Sequence, residues 1–207
     1  MEQQKYIYVL FSATPYRMGR MIRYVTREPY NHVAIGLEDD LGTFYTFARR
    51  YYRTPLYGGF VTELPYRYHH NGITAQVCIY QIPVTREQYD ALSTQLRAMD
   101  AQSQNYLYNH LSALAAPIHR KITVPDAYTC AEFAVSVLAT LGLDFDTRRF
   151  YSLSHIARKL APYYCYCGSF PVPAEEDPLF FRSHPVSHPL YKSTRDILRL
   201  VWRKALI

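Results

Sequence analysis

Residues 127–133, Ala127-Tyr128-Thr129-Cys130-Ala131-Glu132-Phe133, read as the opening of a helix. Thr129 and Glu132 stand in the T-x-x-E spacing of a capping box, in which each side chain satisfies a backbone N–H near the other. Phe133, Val137 and Leu141 then keep helical spacing, and Gly142 supplies a stop. Cys130 therefore falls in the first turn, among unpaired N–H groups at the positive end of the helix dipole. Both features favour thiolate over thiol. The stripe 130, 134, 137 and 141 is apolar beyond the cysteine, so the thiol is expected where core meets cleft.

A cysteine nucleophile needs an imidazole to hold and shuttle its proton, and a third group to orient that imidazole. His32, in Tyr30-Asn31-His32-Val33-Ala34-Ile35, is the best partner on offer. It opens a predicted strand, His32 to Leu37, whose alternate positions Ala34 and Gly36 are small and leave room for a helix end or a substrate. The plainer readings are a small buried cysteine and a structural histidine.

The elements around these two residues alternate between periods of 2 and 3.6. Residues 5–12 read as a strand. Thr14-Pro15 opens a helix with proline at its first position, running to about residue 27. Glu38-Asp39-Asp40-Leu41-Gly42 supplies an acidic turn, and Thr43 to Ala48 the returning strand of a hairpin. Residues 51–72 read as a Tyr- and Gly-rich loop with a short strand near Phe60-Val61, Gly58-Gly59 as a turn, and His69-His70 as a solvated turn or cleft wall. Ile73 to Ile82 is a strand. Thr85 and Gln88 cap the next helix, with Tyr89, Leu92, Leu96 and Met99 on its apolar face. Residues 103–128 read as irregular. A helix from about Ser152 to Leu160 and a strand from Tyr163 to Cys167 follow the Cys130 helix. The fold class is α+β, an antiparallel sheet packed with helices. The elements do not alternate as βαβ units and no Gly-rich phosphate loop is present, which argues against a nucleotide fold.

The 207 residues, 49% hydrophobic and only 19% charged, suffice for one sizeable core. The expected division is a main domain over residues 1–168 and, over 169–207, a Pro/His-rich wrap and a basic amphipathic helix. That helix, Ser193 to Leu206, carries Lys192, Arg195, Arg199, Arg203 and Lys204 opposite Ile197, Leu200 and Val201. Its pattern suits an anionic membrane or a partner. The more ordinary expectation is that it docks its apolar face on its own domain, with Trp202 as an anchor. A net charge of +6 from scattered basic residues does not specify nucleic acid. Four cysteines without a disulfide framework, and no leader or membrane-spanning segment, read as reduced thiols in the cytoplasm.

The strand beginning Asn31-His32-Val33-Ala34-Ile35, followed later by Tyr128-Thr129-Cys130-Ala131-Glu132-Phe133, resembles the circularly permuted branch of the NlpC/P60 papain-like superfamily. That branch includes YiiX-type proteins and lecithin:retinol acyltransferase-like enzymes. In the ordinary order the cysteine helix comes before the histidine strand; here, over roughly residues 5–165, histidine comes first. The resemblance implies a permuted papain-like fold, with Cys130 as nucleophile, His32 as general base, and backbone N–H groups at the start of the Cys130 helix in an oxyanion hole. It also implies an orienting polar residue on the strand after the histidine strand. Thr43 to Arg49 offers no carboxylate, amide or imidazole there, so Thr46 is the expected orienter, with Tyr45 behind it.

On this reading the chain is a cysteine hydrolase or amidase that cleaves an amide or ester in a peptide, cell-wall fragment or lipid, without a cofactor. An acyltransferase using the same pair is the alternative, and a binding module that keeps the fold without turnover is another. Cys165, Cys167, His184 and His188 could in principle ligate zinc, but C-x-C is not the common zinc spacing. The expectation is packed strand cysteines and surface histidines, with no metal.

Overall fold

The computed structural model describes residues 4–37, 41–170, 177–182 and 187–206. In chain order the elements are β1 (Lys5–Ala13), α1 (Arg17–Thr26), β2 (His32–Gly36), β3 (Phe44–Arg49), β4 (Gly58–Glu63), β5 (His69–His70), β6 (Ile73–Thr74), β7 (Gln76–Val84), α2 (Arg86–Ala101), β8 (Leu107–Tyr108), α3 (His110–Ala115), β9 (Ala127–Tyr128), α4 (Cys130–Thr140), α5 (Leu153–Lys159), β10 (Tyr164–Ser169) and α6 (Ser187–Ala205). Six strands form an antiparallel sheet in the order β10-β7-β1-β2-β3-β4, so the fold is α+β.

β1 is buried on both faces, and the period of 2 divides its side chains between two cores. Ile7, Val9 and Phe11 face Val33 and Ile35 of β2, the α4 residues Phe133 and Val137, and the α2 residues Leu92 and Leu96. Tyr8 and Leu10 point the other way, to Ala34, Phe44, Tyr68, Val77, Ile79 and Phe170. The helical face therefore lies against β1 and β2, and α4 packs across β2 and β3. α2 and α4 start in complete capping boxes, Thr85 with Gln88 and Thr129 with Glu132.

Four local expectations are corrected. The first helix begins at Arg17, not at Pro15. Thr14 is held by Asn31, which accepts its N–H at 2.9 Å and donates to its hydroxyl at 2.9 Å, so Thr14 stays out of the helix. Residues 58–63 form a complete strand that pairs with β3 along its length. Gly58 and Gly59 sit within it, because a Cβ there would run into Tyr108 and the Tyr106 carbonyl. Residues 103–128 contain α3, capped by Asn109, and the short parallel pair β8–β9. His69 is buried, with Nδ1 on the Thr74 hydroxyl at 3.0 Å, while His70 stacks on Phe181.

Two of the cysteines also depart from expectation. Cys78 of β7 and Cys167 of β10 are directly opposed and joined as a disulfide. A register shift between Tyr164 and Tyr166 brings Cys167 opposite Cys78 and leaves Cys165 exposed. Simple alternation along β10 does not anticipate this, since cross-strand register is set by the partner strand.

The C-terminal helix docks through one leucine and two arginines. Leu200, 1% exposed, enters a small core with Leu107, Val124 and Ala127. Arg199 donates to the Gln104 carbonyl, and Arg203 to those of Pro125 and Asn105. Trp202 is 66% exposed and is not the anchor. At about 100° per residue, positions 200 and 202 face nearly opposite directions, so docking Leu200 turns the tryptophan outward. The expected acidic turn at 38–40 lies outside the described residues. Among the described residues, no helix is long and apolar enough to cross a membrane.

Candidate active site

Cys130 is placed by its cap. Thr129 Oγ1 accepts the Glu132 N–H at 3.2 Å, and Glu132 Oε2 accepts the Thr129 N–H at 2.7 Å. Glu132 also accepts the Ser112 hydroxyl at 2.6 Å, which ties the start of α4 to α3. The Phe133 N–H returns to the Thr129 carbonyl. The cap thus leaves the N–H groups of Cys130 and Ala131 as first-turn donors beside the buried thiol.

His32 arrives on β2, opposite Ser12 of β1. Cys130 and His32 line one cleft, and the Cys130 side chain contributes to the raised His32 pKa. On the other side, His32 Nε2 is 2.9 Å from Glu63 Oε2. An ionised carboxylate only accepts, so Nε2 carries a proton and Nδ1 is the nitrogen left for sulfur. Burial alone drives the imidazole toward neutrality. The Glu63 carboxylate and the thiol more than offset this, and the His32 pKa rises from 6.5 to about 10. Glu63 is displaced the opposite way, from 4.5 to about 2. Its burial, which favours the acid form, is outweighed by His32, Arg67 and the Tyr68 hydroxyl.

Glu63 is itself held on three sides. Arg67 Nη1 reaches Oε1 at 3.0 Å, and the Tyr68 hydroxyl donates to Oε2 at 2.8 Å. Arg67 is ion-paired to Asp177 at 3.3 Å, its guanidinium lies 4.1 Å from the Phe180 ring centre, and its own carbonyl accepts the Tyr16 hydroxyl. The segment from Asp177 to Phe180 is fastened over this point: Asp177 Oδ1 accepts the N–H groups of Leu179 and Phe180, and the Phe180 carbonyl accepts the Tyr52 N–H. A buried line of alternating charge therefore runs from Asp177 through Arg67 and Glu63 to His32.

Thr46 plays no part in that line. Its hydroxyl is buried and donates to the Val33 carbonyl at 2.7 Å, and Glu63 occupies the orienting position beside His32. Glu63 lies one strand further along the sheet than expected, at the end of β4. A faint signal for it exists in the chain: Glu63 is the sole acidic residue between Asp40 and Glu87, in a stretch otherwise aromatic and basic. Of the four candidate zinc ligands, Cys165 is exposed. Cys167 is committed to the disulfide, His184 and the His188 side chain lie outside the described residues, and no cluster of three ligating side chains occurs among the described residues.

Two clefts meet at the thiol. One, of about 300 Å³, runs between α1, α3 and the loop before α5, and is lined by Cys130 but not by His32. The other, of about 290 Å³, is lined by both residues, by Glu63 and by Arg49. Tyr108 and Asn31 stand where the two join. Comparison of the chain with protein-family models, curated proteins and solved structures finds no match.

Proposed function

We propose that this protein is a cysteine hydrolase of the permuted papain-like type, acting on an ester or amide through an acyl-enzyme. The observation that carries the reading is the file Cys130–His32–Glu63, buried on one side and open to two clefts on the other. The order of elements supports it, with the histidine strand before the cysteine helix and the two packed together.

In the first half-reaction the Cys130 thiolate attacks the carbonyl carbon and a C–S bond forms. Backbone N–H groups at the start of α4 face the developing oxyanion. The His32 imidazolium gives its Nδ1 proton to the leaving atom as that bond breaks. Water then attacks the thioester with His32 as base, and the acid and the thiol are released. Glu63 keeps the imidazole in one orientation and stabilises its charged form.

The test is alkylation of Cys130 by iodoacetamide as a function of pH, in a Cys165→Ser background that removes the exposed free thiol. Cys130 should be labelled faster at neutral pH than free cysteine under the same conditions. His32→Gln should remove that advantage, and Cys130→Ala should abolish labelling. A wild-type rate no faster than that of free cysteine would reduce the site to a packed cysteine and histidine.

A further inference from the structure

The ion pairs behind His32 are closed by residues that the sequence places in a surface wrap. Residues 177–181 lie beyond the expected 1–168 domain, yet Asp177 is 5% exposed and Phe180 4%. The segment is a turn closed on Asp177, whose Oδ1 accepts the Leu179 and Phe180 N–H groups and whose carbonyl accepts the Phe181 N–H at 3.0 Å. It is fastened to the domain by the Tyr52 N–H, which donates to the Phe180 carbonyl at 2.8 Å. The Phe181 ring completes the seat, with its centre 4.5 Å from that of His70 and 5.2 Å from that of Tyr52.

Two side chains of this turn reach the site. Phe180 lines the cleft together with Cys130, His32 and Glu63, and its ring centre lies 4.1 Å from the Arg67 guanidinium and 5.4 Å from that of Arg49. Asp177 Oδ2 is 3.3 Å from Arg67 Nε, which has no hydrogen-bond partner in line, so Asp177 acts on Arg67 through charge. The directed bonds of Arg67 go elsewhere, from Nη1 to Glu63 Oε1 at 3.0 Å and from Nη2 to the Arg50 carbonyl at 3.2 Å.

The balance of charge shows what Asp177 does for the histidine. Three cations meet here, the His32 imidazolium, Arg67 and Arg49, and two carboxylates, Glu63 and Asp177, oppose them. Tyr16, Tyr52, Tyr68 and His70 are the other ionisable side chains packed around the group. Without the Asp177 charge, Glu63 alone would face all three cations. An arginine does not give up its proton in a protein, so His32 is the cation that would respond, by releasing its own.

We infer that Asp177 is a positioning residue of the active site. Its carboxylate shares the charge of Arg67, which leaves the charge of Glu63 to His32, and residues 177–181 thereby complete a site that residues 1–168 leave unfinished. This rests on the Cys130–His32–Glu63 reading.

The experiment follows the His32 ring of the full chain by NMR as pH is varied, with the signal assigned by its loss in His32→Gln. Asp177→Asn keeps an oxygen for the Leu179 and Phe180 N–H groups and removes only the charge. It should lower the His32 midpoint by about one pH unit, the scale of one unit charge on the order of 10 Å away at an effective dielectric constant of about 20. Asp177→Glu should restore most of that shift, and Leu179→Ala, at a position 67% exposed, should cause none. If Asp177→Asn does not fold, Phe180→Ala reads the same coupling by admitting water to the Arg67–Asp177 pair, and should lower the midpoint by a smaller amount. A midpoint unmoved in Asp177→Asn, or in Phe180→Ala where the first variant does not fold, would overturn the inference and make the segment a mechanical tie, whatever the loss of stability. A wild-type midpoint at or below the ordinary 6.5 would overturn it as well. Rapid alkylation of wild-type Cys130 beside an unmoved His32 in the variant would sink the role of Asp177 and leave the nucleophile standing. Alkylation no faster than that of free cysteine would sink the nucleophile, and the inference with it.

Discussion

Replacing Glu63 by glutamine removes a charge while keeping a hydrogen-bond acceptor beside His32 Nε2. The effect follows from the balance at the imidazole. Burial drives the His32 pKa down, and the Glu63 carboxylate is the largest influence driving it up, to a net value of about 10. With the charge gone, burial is opposed only by the Cys130 side chain, and the pKa falls. At about pH 7.5 the wild-type imidazole is protonated and the variant's is less so, which weakens the partner of the thiolate. Alkylation of Cys130 at that pH should slow accordingly. The protein should also lose about 3 kcal/mol, because breaking the buried ion pair takes one counter-charge from Arg67 and the stabilised proton from His32. For a chain of this size that is a fall in Tm of about 6–12 °C.

The pH dependence has a definite sign on each side. The His32 pKa is raised in the folded state, so its contribution is complete below 6.5 and fades as pH climbs toward about 10. The Glu63 pKa is lowered, so its contribution is complete above 4.5 and fades as pH falls toward about 2. The stability difference between wild type and Glu63→Gln should therefore be flat from about pH 4.5 to 6.5 and shrink on both sides. Chemical denaturation across pH, with the His32 ring followed by NMR, measures both quantities. An unchanged His32 titration, or a stability difference that grows above pH 7, would refute the assignment of Glu63 as the group that holds the imidazole.

Three further outcomes separate local from long-range roles. Thr46→Val should cost about 1 kcal/mol for the lost bond to Val33, measured by denaturant unfolding, and leave the Cys130 alkylation profile where it was; a shifted profile would return Thr46 to the site. Thr129→Ala should cost about 1 kcal/mol through loss of the cap and slow Cys130 alkylation, since the first turn of α4 loosens. Leu200→Ala should cost about 2–5 kcal/mol, read as a Tm shift, while Trp202→Ala should change stability by less than about 0.5 kcal/mol; the reverse order would show that α6 docks on its other face.

The capping boxes at Thr85 and Thr129 are legible in the chain because their partners are three residues apart, and the bonds form with almost any surroundings. The strands at β1, β2 and β7 are legible for a similar reason, since apolar β-branched and aromatic runs leave the backbone few alternatives. Residues 58–63 were harder to read, because two glycines mask a strand whose value lies in the backbone they admit from Tyr106–Tyr108. The Cys78–Cys167 bond escaped for a related reason: it depends on a register shift in β10 that no local pattern encodes.

The same division runs through the candidate site. The amino-acid sequence by itself determined that Cys130 begins a capped helix and that His32 begins an apolar strand, since both are matters of spacing within a few residues. It did not determine what stands behind the histidine. Thr46 was the nearest polar residue along the hairpin, but a six-residue β4 brings Glu63 to His32, and Arg67, Tyr68 and Asp177 hold the carboxylate there. Only the tertiary structure decides that, because ionised side chains distant in sequence share a buried site only when each finds its counter-charge within it.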